Sequence, residues 1–271
     1  MPIVRASYQT FPKHLYHYTH GDAALSIISG SAEVDKEICF WLKNARSKND
    51  AAELKLGAAL TEGLQNYMRD HNRSSILNEI EINPDLVFIN SFTEGEDVTS
   101  HLLTEYGNFR LEFDLRACKC KNDIRECTYF KEEEIEELTE CYCSTFDRCW
   151  PLISGEKKDI GALFEYLEEG MSAVMSIPLL KHMDEWEKER EWRHVLHRQT
   201  EDERVFTHPD GLPRMKVFYP ASSLTGITYF PLPQNKESDK DYYRAICDWV
   251  QKQGWDAQVK EVDVYCEGKR R

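Results

Sequence analysis

A chain of 271 residues with 41% hydrophobic and 11% aromatic side chains carries enough apolar material for a substantial core. Its 48 acidic against 34 basic residues leave a formal charge of −14, which repels phosphate backbones at long range, so no non-specific nucleic-acid binding is expected. No apolar run reaches the length of a membrane span, and the opening Met1-Pro2-Ile3-Val4-Arg5 lacks the basic start and apolar stretch of a signal peptide, so the expected setting is cytoplasmic, with no membrane partner.

The cysteines are nine, an odd number that argues for reduced thiols rather than a disulfide framework. Cys118, Cys120, Cys127, Cys141, Cys143 and Cys149 lie close in sequence, but as Cys-x-Cys pairs without an intervening His. That spacing is unlike the Cys-x-x-Cys knuckles of zinc sites, and no metal is expected.

In chain order, residues 13–19 alternate as a strand with Leu15, His17 and Thr19 on one face and His14, Tyr16 and Tyr18 on the other. A turn at His20-Gly21 leads to a helix that Asp22 is placed to cap, carrying Ala24, Leu25, Ile27 and Ile28 and stopping near Gly30. Residues 38–42 read as a second strand. The short polar residues of 44–52 suit a loop and a helix start, with Asn49 or Asp50 as the cap and Glu53 in the first turn. That helix carries Leu54, Leu56, Ala59, Leu60, Leu64, Tyr67 and Met68 inward. After Pro84, residues 86–92 are apolar enough for an interior strand, ending in the polar Ser91-Phe92-Thr93-Glu94. A short helix over 97–106, a turn at Gly107-Asn108 and an alternating strand over 109–114 follow.

The middle is acidic, and residues 131–140 read as a solvated helix face. Residues 163–183 read as a longer amphipathic helix interrupted at Pro178. Strands are predicted near Val205, over 215–219 and over 226–230, then a helix over 241–253 stopped by Gly254, and a last strand over 257–264. The expected architecture is one α+β domain over 1–271, a mixed split β-sheet with flanking helices and a helical insertion around 131–185. No P-loop, no Gly-x-Gly-x-x-Gly and no Gly-x-Ser-x-Gly occurs, which leaves phosphate-loop NTPases, Rossmann dehydrogenases and α/β-hydrolases without support.

Residues 187–197 change character midway, from a charged helix-like start to the strand pattern of Trp192, Val195 and Leu196. Period two puts Glu191, Arg193, Val195 and His197 on one face and Trp192, His194 and Leu196 on the other. A carboxylate beside an arginine on a rigid strand reads either as a catalytic group or as a structural ion pair.

Four segments in this order, Leu15-Tyr16-His17-Tyr18-Thr19, Lys48 to Glu53, Asn90 to Glu94 and Glu189-Arg190-Glu191-Trp192-Arg193, resemble the bacterial "domain of unknown function 2971" family. One departure stands out: Leu103 takes the place before Tyr106-Gly107 where that family usually has Trp. The strand ending His-x-Thr and the helix after it, residues 15–30, are also similar to the opening of ADP-ribosyltransferase-like folds, the toxins that modify DNA and the RNA 2′-phosphotransferases among them. That second resemblance implies NAD as substrate, a bacterial toxin or antiphage defence setting, and a nucleic acid or protein as acceptor. It implies that His17 and Tyr18 hold the adenosine-side ribose, Ser91 lines the nicotinamide end, and Glu191 or Glu189 is the catalytic carboxylate. Arg193 and the loop from Arg46 through Asn49 and Asp50 are then expected at the pyrophosphate, an arginine fork suiting its oxygens. Two other readings stay open. One is a non-catalytic nucleotide-sensing or protein-interaction module, and the other a metal-dependent nuclease or phosphohydrolase using Asp50, Glu53, Glu94 and Glu191.

Overall fold

The computed structural model of the chain describes residues 10–30, 37–45, 55–71, 87–95, 100–131, 134–153, 179–182, 189–197, 202–232 and 237–262. The strands are β1 (Leu15–Thr19), β2 (Glu37–Asn44), β3 (Val87–Thr93), β4 (Phe109–Phe113), β5 (Ile124–Glu126), β6 (Thr128–Phe130), β7 (Leu180–His182), β8 (Glu191–His197), β9 (Val205–Thr207), β10 (Pro213–Pro220), β11 (Leu224–Tyr229) and β12 (Gln258–Glu261). The helices are α1 (Gly21–Ser29), α2 (Lys55–Asp70), α3 (Ser100–Glu105), α4 (Glu134–Ile153) and α5 (Glu237–Gln253). Ten strands join one mixed sheet in the order β12-β11-β4-β1-β3-β2-β10-β9, with β8 also on β3 and β5 on β8. Only β11 and β12 run parallel within it, and β6 and β7 form a separate parallel pair.

Strand β3 is where this sheet divides. All seven of its residues pair with β8, from Val87 opposite His197 to Thr93 opposite Glu191, which occupies one edge completely. The other edge is shared, Ile89 facing Lys43 of β2 and Thr93 facing Tyr16 of β1. Ser91 falls between the two registers, and a part-buried carbonyl there calls for a donor. His17 supplies it: its Nδ1 lies 2.9 Å from the Ser91 carbonyl oxygen, which makes that nitrogen the protonated one. The ring fills the fork edge-on against Phe40 at 5.1 Å and Phe92 at 5.9 Å.

Residues paired across strands share a face, so the registers sort side chains into two layers. The first face carries Leu15, Phe40, Phe92, Leu111, Phe113 and Trp192, the centre of the largest apolar cluster. Helices α1 and α5 cover it through Ala24, Ile28, Ile246 and Val250. Their approach is close enough that a Cβ on Gly21 would stand 2.8 Å from the Tyr242 ring. On the second face lie two smaller clusters. Tyr16, Tyr18, Leu102, Leu103 and Phe230 form one, under α3, and Ala45, Val87, Ile89, Leu179 and Val195 form the other. Helices α2 and α4 pack on each other, and a Cβ on Gly63 would meet Thr139 at 2.7 Å.

Four expectations are corrected. Residues 180–182, assigned to the end of an amphipathic helix, form β7, because its three residues pair with Tyr129 and its neighbours and are too few to show a period; residues 163–178 of that expected helix lie outside the described residues. Asp22 sits inside the first turn of α1, the N-cap being His20, since the helix starts one residue earlier than the Asp; its carboxylate accepts from the N–H of Ala23 at 2.8 Å. Ala59 is exposed, whereas Leu60, Leu64 and Met68 are buried, so the inward stripe of α2 is narrower than the pattern implied. Within the acidic stretch, Ile135, Leu138, Tyr142 and Cys143 of α4 are buried, so that helix is amphipathic rather than wholly solvated. No described helix is long and apolar enough to cross a membrane.

Candidate functional site

Alternation along β8 sends Trp192 and Leu196 into the main core and turns Glu191 and Arg193 to the second face. Just before the strand, Arg190 adopts φ +44°, a left-handed conformation that few non-glycine residues take. The bend brings Glu189 and Glu191 onto one ammonium. Lys181, delivered by β7, donates to Glu189 Oε2 at 3.0 Å and to Glu191 Oε2 at 2.5 Å. Arg193 grips Glu191 from the other side, Nε to Oε1 at 2.8 Å and Nη2 to Oε2 at 3.2 Å. Two carboxylates thus meet two cations in a charge-balanced group.

All four side chains are buried, Arg193 completely and Lys181 to 4% exposure. Burial disfavours the Lys181 ammonium, but the attraction of Glu191 and Glu189 outweighs both that and the repulsion of Arg193, and its pKa is raised above 10.5. Backbone groups are tied in as well: the Thr93 hydroxyl donates to the Glu189 carbonyl, and the Glu191 N–H donates to the Tyr129 hydroxyl at 2.9 Å. Burial pushes the Tyr129 phenol well above its usual range, so it stays neutral.

The two glutamates are not equivalent. Glu191 is enclosed by both cations, whereas Glu189 also reaches toward α3. There the Tyr106 hydroxyl donates to Glu189 Oε1 at 3.0 Å and His101 Nε2 lies 3.5 Å from the same oxygen. Tyr106 is 38% exposed and the His101 side chain 48%, so this side of the cluster meets solvent. Glu189 is the outer carboxylate and Glu191 the inner one. What the arrangement can do chemically follows: a fixed negative oxygen behind a partly exposed phenol and imidazole, with a buried ion pair holding it in place.

The expected site residues divide. Glu189, Glu191, Arg193 and Ser91 share the second face, Ser91 directly opposite Arg193. His17 does not join them, because it lies on the first face with Leu15 and Leu111 and its ring is used in the fork. Tyr18 is on the second face but buried among Tyr16, Leu102 and Phe230. Arg193 is fully enclosed by its contact with Glu191, which removes it from any pyrophosphate. Asn49 and Asp50, with Arg46 and Glu53, lie outside the described residues. Glu94 binds Arg190 at 2.8 Å, away from Lys181.

Sequence reasoning missed Lys181, His101, Tyr106 and Tyr129. The available signal was Leu179-Leu180-Lys181 after Pro178, a lone lysine in an apolar run, which a buried strand tolerates only with a carboxylate partner. Among the cysteines, Cys118 and Cys120 are free thiols, and no group of three His, Cys, Asp or Glu side chains gathers as a metal site among the described residues. No family model, no curated protein and no solved structure matches the chain.

Proposed function

We propose that the chain is an ADP-ribosyltransferase-like enzyme that transfers ADP-ribose from NAD to a macromolecule or nucleotide, with Glu189 as the carboxylate that meets the substrate. The resemblance of its four segments to the 2971 family and to ADP-ribosyltransferase-like folds motivates the reading, and its toxin or defence setting rests on that resemblance alone. The observation that carries it is the adjacent strands β1, β3 and β8 meeting, on the second face, beside the buried Glu189, whose outer oxygen is covered by the partly exposed Tyr106 and His101.

Cleavage of the nicotinamide–ribose bond sends the bonding electron pair out with nicotinamide and leaves positive charge on the sugar. A fixed carboxylate attracts that charge more in the transition state than in the ground state. The acceptor's oxygen or nitrogen then forms the new bond to the sugar with its lone pair and gives up its proton to water. Tyr106 and His101 flank the entry as surfaces for the nicotinamide ring, and Glu191 acts through Lys181 as a positioning residue. Neither Arg193 nor His17 takes part. The pyrophosphate would be met by other groups, of which residues 46–50 are the expected ones.

The assay is nicotinamide release and label transfer from adenylate-labelled NAD, offered with DNA, RNA and protein extracts. Glu189→Gln is expected to lower turnover per folded molecule at least a hundredfold, and to lower the thermal transition as well, because it leaves Lys181 and Arg193 with Glu191 as their one carboxylate. Turnover that survives this substitution, or no turnover by the wild type, sinks the proposal. The enclosure of both carboxylates favours one second reading, a nucleotide-binding module without chemistry. Under it, calorimetry registers NAD binding with no nicotinamide released.

A further inference from the structure

Two side chains at the end of β3 take no part in the chemistry above, yet both reach the segment that carries Glu189. Thr93 is buried and pairs with Tyr16 of β1 and Glu191 of β8, which places it on the second face. Glu94 follows it and turns to the opposite side of the sheet, where the Trp192 indole N–H donates to its Oε2 at 3.4 Å.

Three successive carbonyls flank the bend at Arg190, and in a largely buried place each needs a donor. The Thr93 hydroxyl donates to the Glu189 carbonyl, the Glu94 N–H to the Arg190 carbonyl at 3.1 Å, and the Cys127 N–H to the Glu191 carbonyl at 2.8 Å. Two of these donors come from the end of β3. The Thr93 hydroxyl is itself oriented, because it accepts from the Gly95 N–H at 3.3 Å and keeps its single proton for Glu189. Glu94 adds a hold on the side chain, its Oε1 2.8 Å from Arg190 Nη2.

Among the described residues Arg190 alone, glycines apart, has a positive φ. Such a backbone persists only where its surroundings over-determine it, and the contacts of Thr93 and Glu94 do so here. A regular strand would space Glu189 and Glu191 about 6.6 Å apart along one face. The bend instead lets both reach Lys181 while Glu189 alone extends to Tyr106 and His101. The two holds differ in strength. The Arg190 side chain is 58% exposed, and an ion pair in that setting contributes little, whereas the Thr93 hydroxyl acts where water does not replace it.

We propose that the end of β3 clamps the bend and sets where the Glu189 carboxylate stands, with Thr93 as the main positioning residue and Glu94, through Arg190, as the lesser one. Neither touches substrate. This role rests on the reading of Glu189 as the carboxylate that meets NAD, and it deepens that reading by naming what holds the group in place.

The experiment treats the full chain with a water-soluble carbodiimide and glycinamide and counts the adducts at Glu189 and Glu191 by peptide mass spectrometry. The ratio of Glu189 to Glu191 adduct is expected to rise roughly tenfold in Thr93→Val, which keeps the shape and removes the donor, and to stay at the wild-type value in Thr93→Ser. Glu94→Gln is expected to raise it roughly twofold to threefold, in keeping with an exposed pair. That variant removes only a partly exposed contact, so it decides the matter should Thr93→Val fail to fold. An unchanged ratio in the folded variants, an equal rise at both glutamates, or a Thr93→Ser that behaves as Thr93→Val overturns the clamp. In the same variants kcat for NAD should fall in the order of the labelling while KM stays unchanged. A wild type without turnover removes the transferase reading, and the labelling still decides whether Thr93 and Glu94 set Glu189.

Discussion

On one side of β8 Trp192 and Leu196 enter an apolar layer with Phe92 and Phe40, and on the other, one residue away in sequence, Arg193 is just as deeply buried against Glu191 and Lys181. The first layer is held by dispersion and by removal of apolar surface from water, which is forgiving of any one contact. The second depends on a few charges, and each is tolerable only while its partners remain. One strand therefore carries two kinds of stability, and they fail differently when a side chain is removed.

Arg193→Met should break the charged side most severely. It leaves Glu191 buried with Lys181 alone, a loss expected to reach about 3–5 kcal/mol, comparable to Phe40→Ala on the apolar side. The difference lies in rescue. Adding Glu191→Gln to Arg193→Met removes the orphaned charge and should recover much of the loss, whereas a second substitution near Phe40 would recover none. Chemical denaturation of the two singles and the double gives the coupling energy, and additive losses would mean that the two side chains do not form a unit. It follows that Glu191→Ala is a poor test of catalysis, because it unbalances both cations, and that Glu189 is the informative position.

His17 tests the seam between the layers. Removing its ring in His17→Ala takes the His17 donor from the part-buried Ser91 carbonyl and opens a gap against Phe40 and Phe92, an expected loss of about 2 kcal/mol. NAD turnover per folded molecule should be unchanged. A fall in turnover without a shift in the thermal transition would return His17 to the substrate and would argue against its role in the fork.

How far the chain announces all this depends on the residue. The apolar run ending in β3 and the alternation of β8 are readable because burial imposes them on several residues in succession. Parity within β1 is readable too, and it separates His17 from Tyr16 and Tyr18. What period two cannot give is which face of β1 matches which face of β8, since that is set by the Tyr16–Thr93 and Thr93–Glu191 registers between strands far apart in sequence. His17 and Glu191 therefore look like one site in the sequence and stand on opposite faces of the sheet. Lys181 is hidden for another reason: a three-residue strand has no period, and its meaning comes only from the carboxylates it meets.

The smallest effect is expected from pH, and it isolates the lysine. Because the folded pKa of Lys181 lies above its unfolded value of 10.5, the stability it contributes is fully present below that value and is lost as pH rises through the folded pKa. Nothing is expected from this group near neutrality. Alkaline titration of the denaturation midpoint should show a falling limb above pH 10.5, and in Lys181→Met paired with Glu189→Gln that limb should flatten. The pairing matters, since Lys181→Met alone leaves two carboxylates facing each other with only Arg193 to hold one of them. Phe40→Ala, on the apolar side, should shift the whole curve down and leave the shape of the limb unaltered. A limb that persists in the Lys181 variant would assign the alkaline loss to other groups, and the ammonium would then contribute little beyond filling its place between Glu189 and Glu191.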